Sequence, residues 1–194
     1  MTHTPLNVKE LRDQLHALAT RDGIRHWDLG ASRGMNASVQ VDRGEAKQMK
    51  AAQRSSITVR VWNEQGLVGV TSTSDLSPGG LDKALKGAYQ ARSFGNTVDI
   101  PGFSPLATAP IPELDRPLKP SQSIQTLLST LKDVEGELLA KHPAIETVPY
   151  NGLSEGNSER IYLNSEGALR HMQRTQASLY LYARAEESGR KPRS

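Results

Sequence analysis

The sequence predicts an α+β fold, with a largely antiparallel sheet packed by amphipathic helices. Three observations lead there. Apolar residues recur at helical spacing in three well-separated stretches. Period-two alternation fills the segments between and after them, and short turn signals join the alternating runs into antiparallel neighbours. The order is helix, strands, helix, connector, helix, strands, which is not the strict strand–helix alternation of a parallel sheet.

The first helix is expected after Thr4-Pro5, an N-cap followed by proline in the first turn. Val8, Leu11, Leu15 and Leu18 form its apolar stripe, and Gly23 is its stop. From Trp27 the period changes to two. "WDLGAS" is a short strand candidate, and "ASVQV" sets Val39 and Val41 against Gln40 and Asp42. "DRGE", Asp42 to Glu45, is a turn with glycine where positive φ is needed. "AKQMKAAQ" reads as the return strand despite poor β propensity, and "SSITVRVW" as a further one. "NEQG" closes a hairpin and "LVGVTSTS" runs back, which makes an antiparallel meander of four strands.

The run "VTSTSDLSPGGLDKAL" offers hydroxyls that could serve as nucleophiles or as local caps. The capping reading is favoured. Ser77 is an N-cap candidate, Pro78 suits the first helical position, and Leu81, Ala84, Leu85 and Ala88 form a stripe that ends by Gly95. Thr71 to Ser74 suit a strand end, where hydroxyls bond free backbone groups. No histidine and no G-x-S-x-G elbow lies in this segment.

Residues 96–120 are proline-rich and carry neither period, so they read as an extended connector. A helix from about Ser121 to Lys141 follows, with Ile124, Leu127, Leu128, Leu131, Val134, Leu138 and Leu139 on its apolar face and His142-Pro143 as its end. "AIETVPYNG", "ERIYLN", "ALRHMQRT" and "ASLYLYARA" then read as strands, with the turn "NSEG" between the second and third. The domain reading is 1–95 as helix, strands and helix, 96–120 as linker, and 121–194 as helix and strands completing the same N-terminal-type domain.

The 194 residues contain no cysteine, which removes disulfides, a cysteine nucleophile and thiolate metal sites. No apolar run is long enough to span a bilayer and no basic-then-apolar leader opens the chain, so a cytoplasmic location is expected. The formal net charge of +3 does not argue for nucleic acid, and the terminal "GRKPRS" reads as a solvated basic tail. The five histidines, His3, His16, His26, His142 and His171, form no H-E-x-x-H or H-E-x-x-x-H pair. His26 and Asp28 would share one strand face, yet such a pair is more often an edge feature than an acid–base dyad. "LSPGGLDKAL" lacks the spacing of a phosphate-binding loop, and "NGLSEGNSE" leads to a strand rather than a helix. Tyr180, Tyr182 and Arg184 could stack single-stranded nucleic acid, but a sheet face covered by further structure is favoured. No catalytic, cofactor-binding or metal residue is assigned.

The wording of two segments then points to a family. Arg43 to Glu45, Val59 to Val61, Gly66 to Gly69 and Thr73 to Pro78 lie in "VQVDRGEAKQMKAAQRSSITVRVWNEQGLVGVTSTSDLSPGGLDKALKGAYQAR". This block resembles the N-terminal part of the TldD/PmbA family, once called modulators of DNA gyrase. "ERIYLNSEGALRHMQRTQASLYLYARAEE" is similar to the family's later strand, Asn-Ser turn and strand. Together the two cover nearly the whole chain. The resemblance implies a cytosolic peptidase system for peptide processing and proteolysis, in which a TldD-type subunit carries zinc on an H-E-x-x-x-H helix. Its partner, TldE or PmbA, lacks that motif, and the two form a heterodimer acting on peptides or unfolded segments. The wording here is closer to the PmbA/TldE side. It also implies members about twice this length, so the catalytic-type C-terminal domain is expected to be absent and zinc to belong to the TldD-type partner. The expected function is a non-catalytic N-terminal portion of that system, with a TldD-like or PmbA-like subunit and peptides as partners. The alternatives are an independent non-metal hydrolase and a nucleic-acid-associated module.

Overall fold

The computed structural model describes residues 7–100, 102, 104–105, 109–111 and 119–187. The elements are α1 (Val8–Arg21), β1 (His26–Asp42), β2 (Glu45–Trp62), β3 (Val68–Thr73), α2 (Pro78–Ala91), a 3-10 turn (Arg92–Phe94), α3 (Ile124–Leu139), β4 (Ile145–Asn164) and β5 (Leu169–Ala185). The strands form one five-stranded antiparallel sheet in the order β3-β2-β1-β4-β5, so the fold is α+β as expected. Ile57 pairs with Thr73 and Trp62 with Val68, which fixes the β2–β3 register.

The chain divides into two compact units. One comprises Met1–Gly34, Arg54–Pro117 and Ser158–Gln173, and the other Met35–Gln53, Leu118–Asn157 and Arg174–Ser194. β1, β2, β4 and β5 each contribute residues to both. The first unit has the larger core. Leu11, Leu15 and Ala19 of α1 and Leu81, Ala84, Leu85 and Ala88 of α2 pack against Trp27, Leu29, Ala31, Ile57, Val59, Val61, Ile161 and Leu163. The core of the second unit is Leu127 and Leu131 of α3 against Val39 and Val41.

The fragments expected as separate strands are halves of long ones. "WDLGAS" and "ASVQV" both lie in β1, and "AKQMKAAQ" and "SSITVRVW" in β2, so the expected four-strand meander is three strands. "AIETVPYNG" and "ERIYLN" are one strand, β4, as are "ALRHMQRT" and "ASLYLYARA", β5. Gly34 in β1 and Ser154, Gly156 and Ser158 in β4 lower local β propensity, and in β2 and β5 only Arg54 and Gln176 separate the fragments; ladder pairing with long neighbours carries the backbone through. Thr4 and Pro5 lie outside the described residues, as do the basic tail and part of the 96–120 connector. Asn7 is the N-cap of α1, accepting from Glu10 N at 3.1 Å. α3 is capped by Ser123 and is shorter than the expected 121–141 span.

Two turns share one design. Asn63 Oδ1 accepts from Gln65 N and Leu67 N, and Asn164 Oδ1 accepts from Glu166 N and Ala168 N. Gly66 (φ 82°) and Gly167 (φ 85°) then supply the left-handed residue each turn requires.

Candidate functional site

The hydroxyl-rich run at the end of β3 is architectural. Ser77 Oγ accepts from Gly80 N at 3.1 Å and caps α2, with Pro78 at its first position. Asp75 Oδ1 accepts from Ser77 N, and Asp75 N donates to Thr73 Oγ1. Bonding to Ser77 holds the Asp75 carboxyl below the usual carboxylate range. Thr58 and Ser72 share a hydroxyl hydrogen bond, and Ser55 donates to Ser74 O. The hydroxyls of Ser72, Thr73 and Ser77 are thereby engaged in holding a strand end or a helix start, and Ser74 takes part through its carbonyl.

In the first unit, the sheet face opposite α1 and α2 carries a polar cluster. Asp28 lies between the core residues Trp27 and Leu29, so it points to the other face. Arg60, between Val59 and Val61, meets it with Nε 2.9 Å from Oδ1 and Nη2 on Oδ2. Tyr162 Oη donates to Asp28 Oδ2 at 3.1 Å. The guanidinium lies over the Trp62 ring, 5.0 Å from its centroid. Asp28 is 2% exposed, whereas the Arg60 side chain is 42% exposed. Hydrogen bonding to Asp28 raises the Arg60 pKa, while burial, with the nearby Asp28 charge, raises that of the Tyr162 phenol. Both carboxylate oxygens are engaged, so Asp28 ties three strands together.

His26 does not join this cluster. Its Nε2 lies 3.7 Å from Glu64 Oε2, so the His26–Asp28 pair is not assembled. His171 Nε2 bonds Glu159 Oε1 at 2.7 Å, with Gln173 as a second donor. His142 Nδ1 accepts from Ala144 N, which closes a local turn after the end of α3. Among the described residues, no three His, Cys, Asp or Glu side chains converge as a metal site.

The second unit explains two sequence features. At the β1–β2 turn, Arg43 (φ 51°) and Gly44 (φ 76°) both adopt the left-handed conformation. Their amides donate to Glu135 of α3, at 3.3 and 2.7 Å. Glu135, 2% exposed, sits one turn beyond Leu131 on the buried stripe, whereas Val134, Leu138 and Leu139 are only half-buried. Tyr180 lies against Gly152, where a Cβ would stand 2.6 Å from its ring, and its hydroxyl accepts from Gln40 at 3.3 Å. The Tyr182 ring is tilted 56° to it, and Arg184 is ion-paired with Glu186. These three residues do not form a parallel stacking platform.

Among the described residues, the sheet leaves parts of its two edges unpaired. β3 covers β2 only from Ile57 to Trp62. Glu45–Gln53 has no strand outside it among the described residues, and every residue in that run is exposed. β5 is the opposite edge, with Leu179, Tyr180 and Tyr182 exposed. Backbone groups along such edges are open to a further strand.

The architecture defines an α+β domain shared with much longer proteins. A proposed modulator of a DNA gyrase from Thermotoga maritima aligns over 95% of this chain and 41% of its own, with TM-score 0.78 and 19% identity. One from Bacteroides thetaiotaomicron aligns over 95% and 42%, with TM-score 0.74 and 17% identity. TldE from Thermococcus kodakarensis aligns over 93% and 39%, with TM-score 0.70 and 14% identity. The chain therefore spans about two-fifths of the length of these solved proteins. No curated protein matches it. The model of PmbA/TldA metallopeptidase domain 1 matches residues 27–92, and that of the PmbA/TldA metallopeptidase central domain matches residues 117–194. The chain belongs to the PmbA/TldD family. Among the described residues, no helix is long and apolar enough to cross a membrane.

Proposed function

We propose that this chain is a non-catalytic N-terminal portion of a TldD/PmbA-type peptidase system, closer to the PmbA/TldE side. In this reading it works in the cytoplasm beside a TldD-type subunit that supplies the zinc chemistry. It contributes strand edges that hold extended peptide by main-chain pairing. The observation that carries the reading is the succession of the two family domains along the chain, without a zinc-binding motif in the sequence. The long uncovered edges of β2 and β5 support the peptide-contacting part.

The test is peptide binding by the chain alone and mixed with a TldD-type subunit, read by fluorescence anisotropy alongside co-elution on a sizing column. Co-elution and tighter peptide binding in the mixture are expected. No peptide binding in either case overturns the proposal.

A further inference from the structure

The β2 edge has chemistry that the β5 edge lacks. In Glu45–Gln53 the side chains alternate between faces, yet both faces are exposed. The segment carries one carboxylate, Glu45, already paired with Lys132 at 3.7 Å. It carries two cations, Lys47 and Lys50, with no ion pair or hydrogen bond among the described residues. Ala46, Ala51 and Ala52 leave room beside them, and no proline interrupts the amides. On β5, by contrast, Arg174 donates to Gln176 and Arg184 to Glu186.

From this we infer that the outer edge of β2, Glu45 to Gln53, is a docking strand for an extended acidic polypeptide. Lys47 and Lys50 fall on opposite faces, and cross-strand side chains meet directly. The matching partner strand therefore carries carboxylates three residues apart, one on each face. Alternate residues of β2 turn their N–H and C=O away from β1 and supply the main-chain bonds. The two lysines supply the selection. The inference rests on the strand-addition reading above and names its edge and the class of peptide it takes.

The experiment uses the whole chain and three capped nonapeptides of threonine and valine. Each carries two Glu, two Gln or two Lys at positions three apart. Binding is followed by fluorescence anisotropy at low ionic strength and with added salt, and its location by amide hydrogen exchange. Two exposed ion pairs are expected to favour the Glu peptide over the Gln peptide by about two- to thirtyfold. Added salt should erode that preference, and protection should fall on amides within residues 46–52. K47E/K50E, checked for folding by circular dichroism, should transfer the preference to the Lys peptide. Equal binding of all three peptides with protection on β2 overturns the acidic selection and leaves the strand-addition reading standing. A Glu preference with protection on β5 overturns the assignment of the edge. No binding of any peptide overturns both.

Discussion

Replacing Gly69 with alanine should destabilise the first unit through a clash with the backbone at the end of α2. A Cβ at Gly69 would stand 1.9 Å from the Ala88 carbonyl oxygen, 2.4 Å from Arg92 N and 2.9 Å from Ala91 C. All three are main-chain atoms at the end of α2, so no rotamer change relieves the clash. Restoring even a 3.0 Å approach moves the end of the helix 1.1 Å off β3 (3.0 less 1.9). Leu85 and Ala88, both fully buried, move with it. Overpacking costs about 1–3 kcal/mol, and contact with backbone places this site near 3. For a chain of this size that corresponds to a melting temperature lower by about 6–12 °C. Gly30→Ala is the control, because nothing lies within 4 Å of a Cβ there. Thermal and denaturant unfolding of the two variants beside the parent chain measures the difference. A Gly69→Ala protein within about 1 kcal/mol of the parent, or a Gly30→Ala protein equally damaged, refutes the close-approach argument.

Two further outcomes are expected. Glu135→Ala removes the acceptor of the Arg43 and Gly44 amides. Water can replace the carboxylate at that exposed turn, so the cost should be only about 1 kcal/mol, with faster hydrogen exchange at both amides; unchanged exchange would contradict the assigned role. Tyr162 binds its proton more tightly folded than unfolded, so its contribution is present below the ordinary phenol value of about 10 and is lost as pH rises through the raised folded value. Stability should therefore fall on the alkaline side, and Tyr162→Phe should flatten that fall; an alkaline limb unchanged in the variant would contradict it.

The helices were largely legible because their stripes and caps are local. Ser77, Pro78 and the Leu81–Ala88 stripe stand where the sequence places them. Strand length was not legible. The continuity of β2 through "AKQMKAAQ" depends on β1 beside it, a partner that no window of β2 contains. The Asp28–Arg60–Tyr162 cluster was hidden for the same reason, since its members come from three strands and the last is 134 positions from the first. Parity supplies part of it, because each of the three stands between two apolar core residues of its strand and so off the helix-packed face. Glu135 was also within reach, as a carboxylate four residues after Leu131 on an apolar stripe asks for a buried partner. The family resemblance was legible because its words are turn and cap words. Arg43-Gly44 makes a left-handed turn, and Asp75 to Pro78 starts a helix.

The paired Asn turns have a mechanical consequence. In each, the asparagine and the glycine fix the backbone, so the two residues between them are spare. The first turn uses Glu64 to approach Arg25 and His26, at 3.4 and 3.7 Å. The second uses Ser165, whose amide donates to Trp27 O at 2.9 Å and whose hydroxyl accepts from Trp27 N at 3.4 Å. The start of the middle strand is thus gripped from both flanks, like a rod in a pair of tongs. Fraying from the α1 side has to break the Ser165–Trp27 bonds before it reaches Asp28, and the exposed Glu64 contacts add little to that hold.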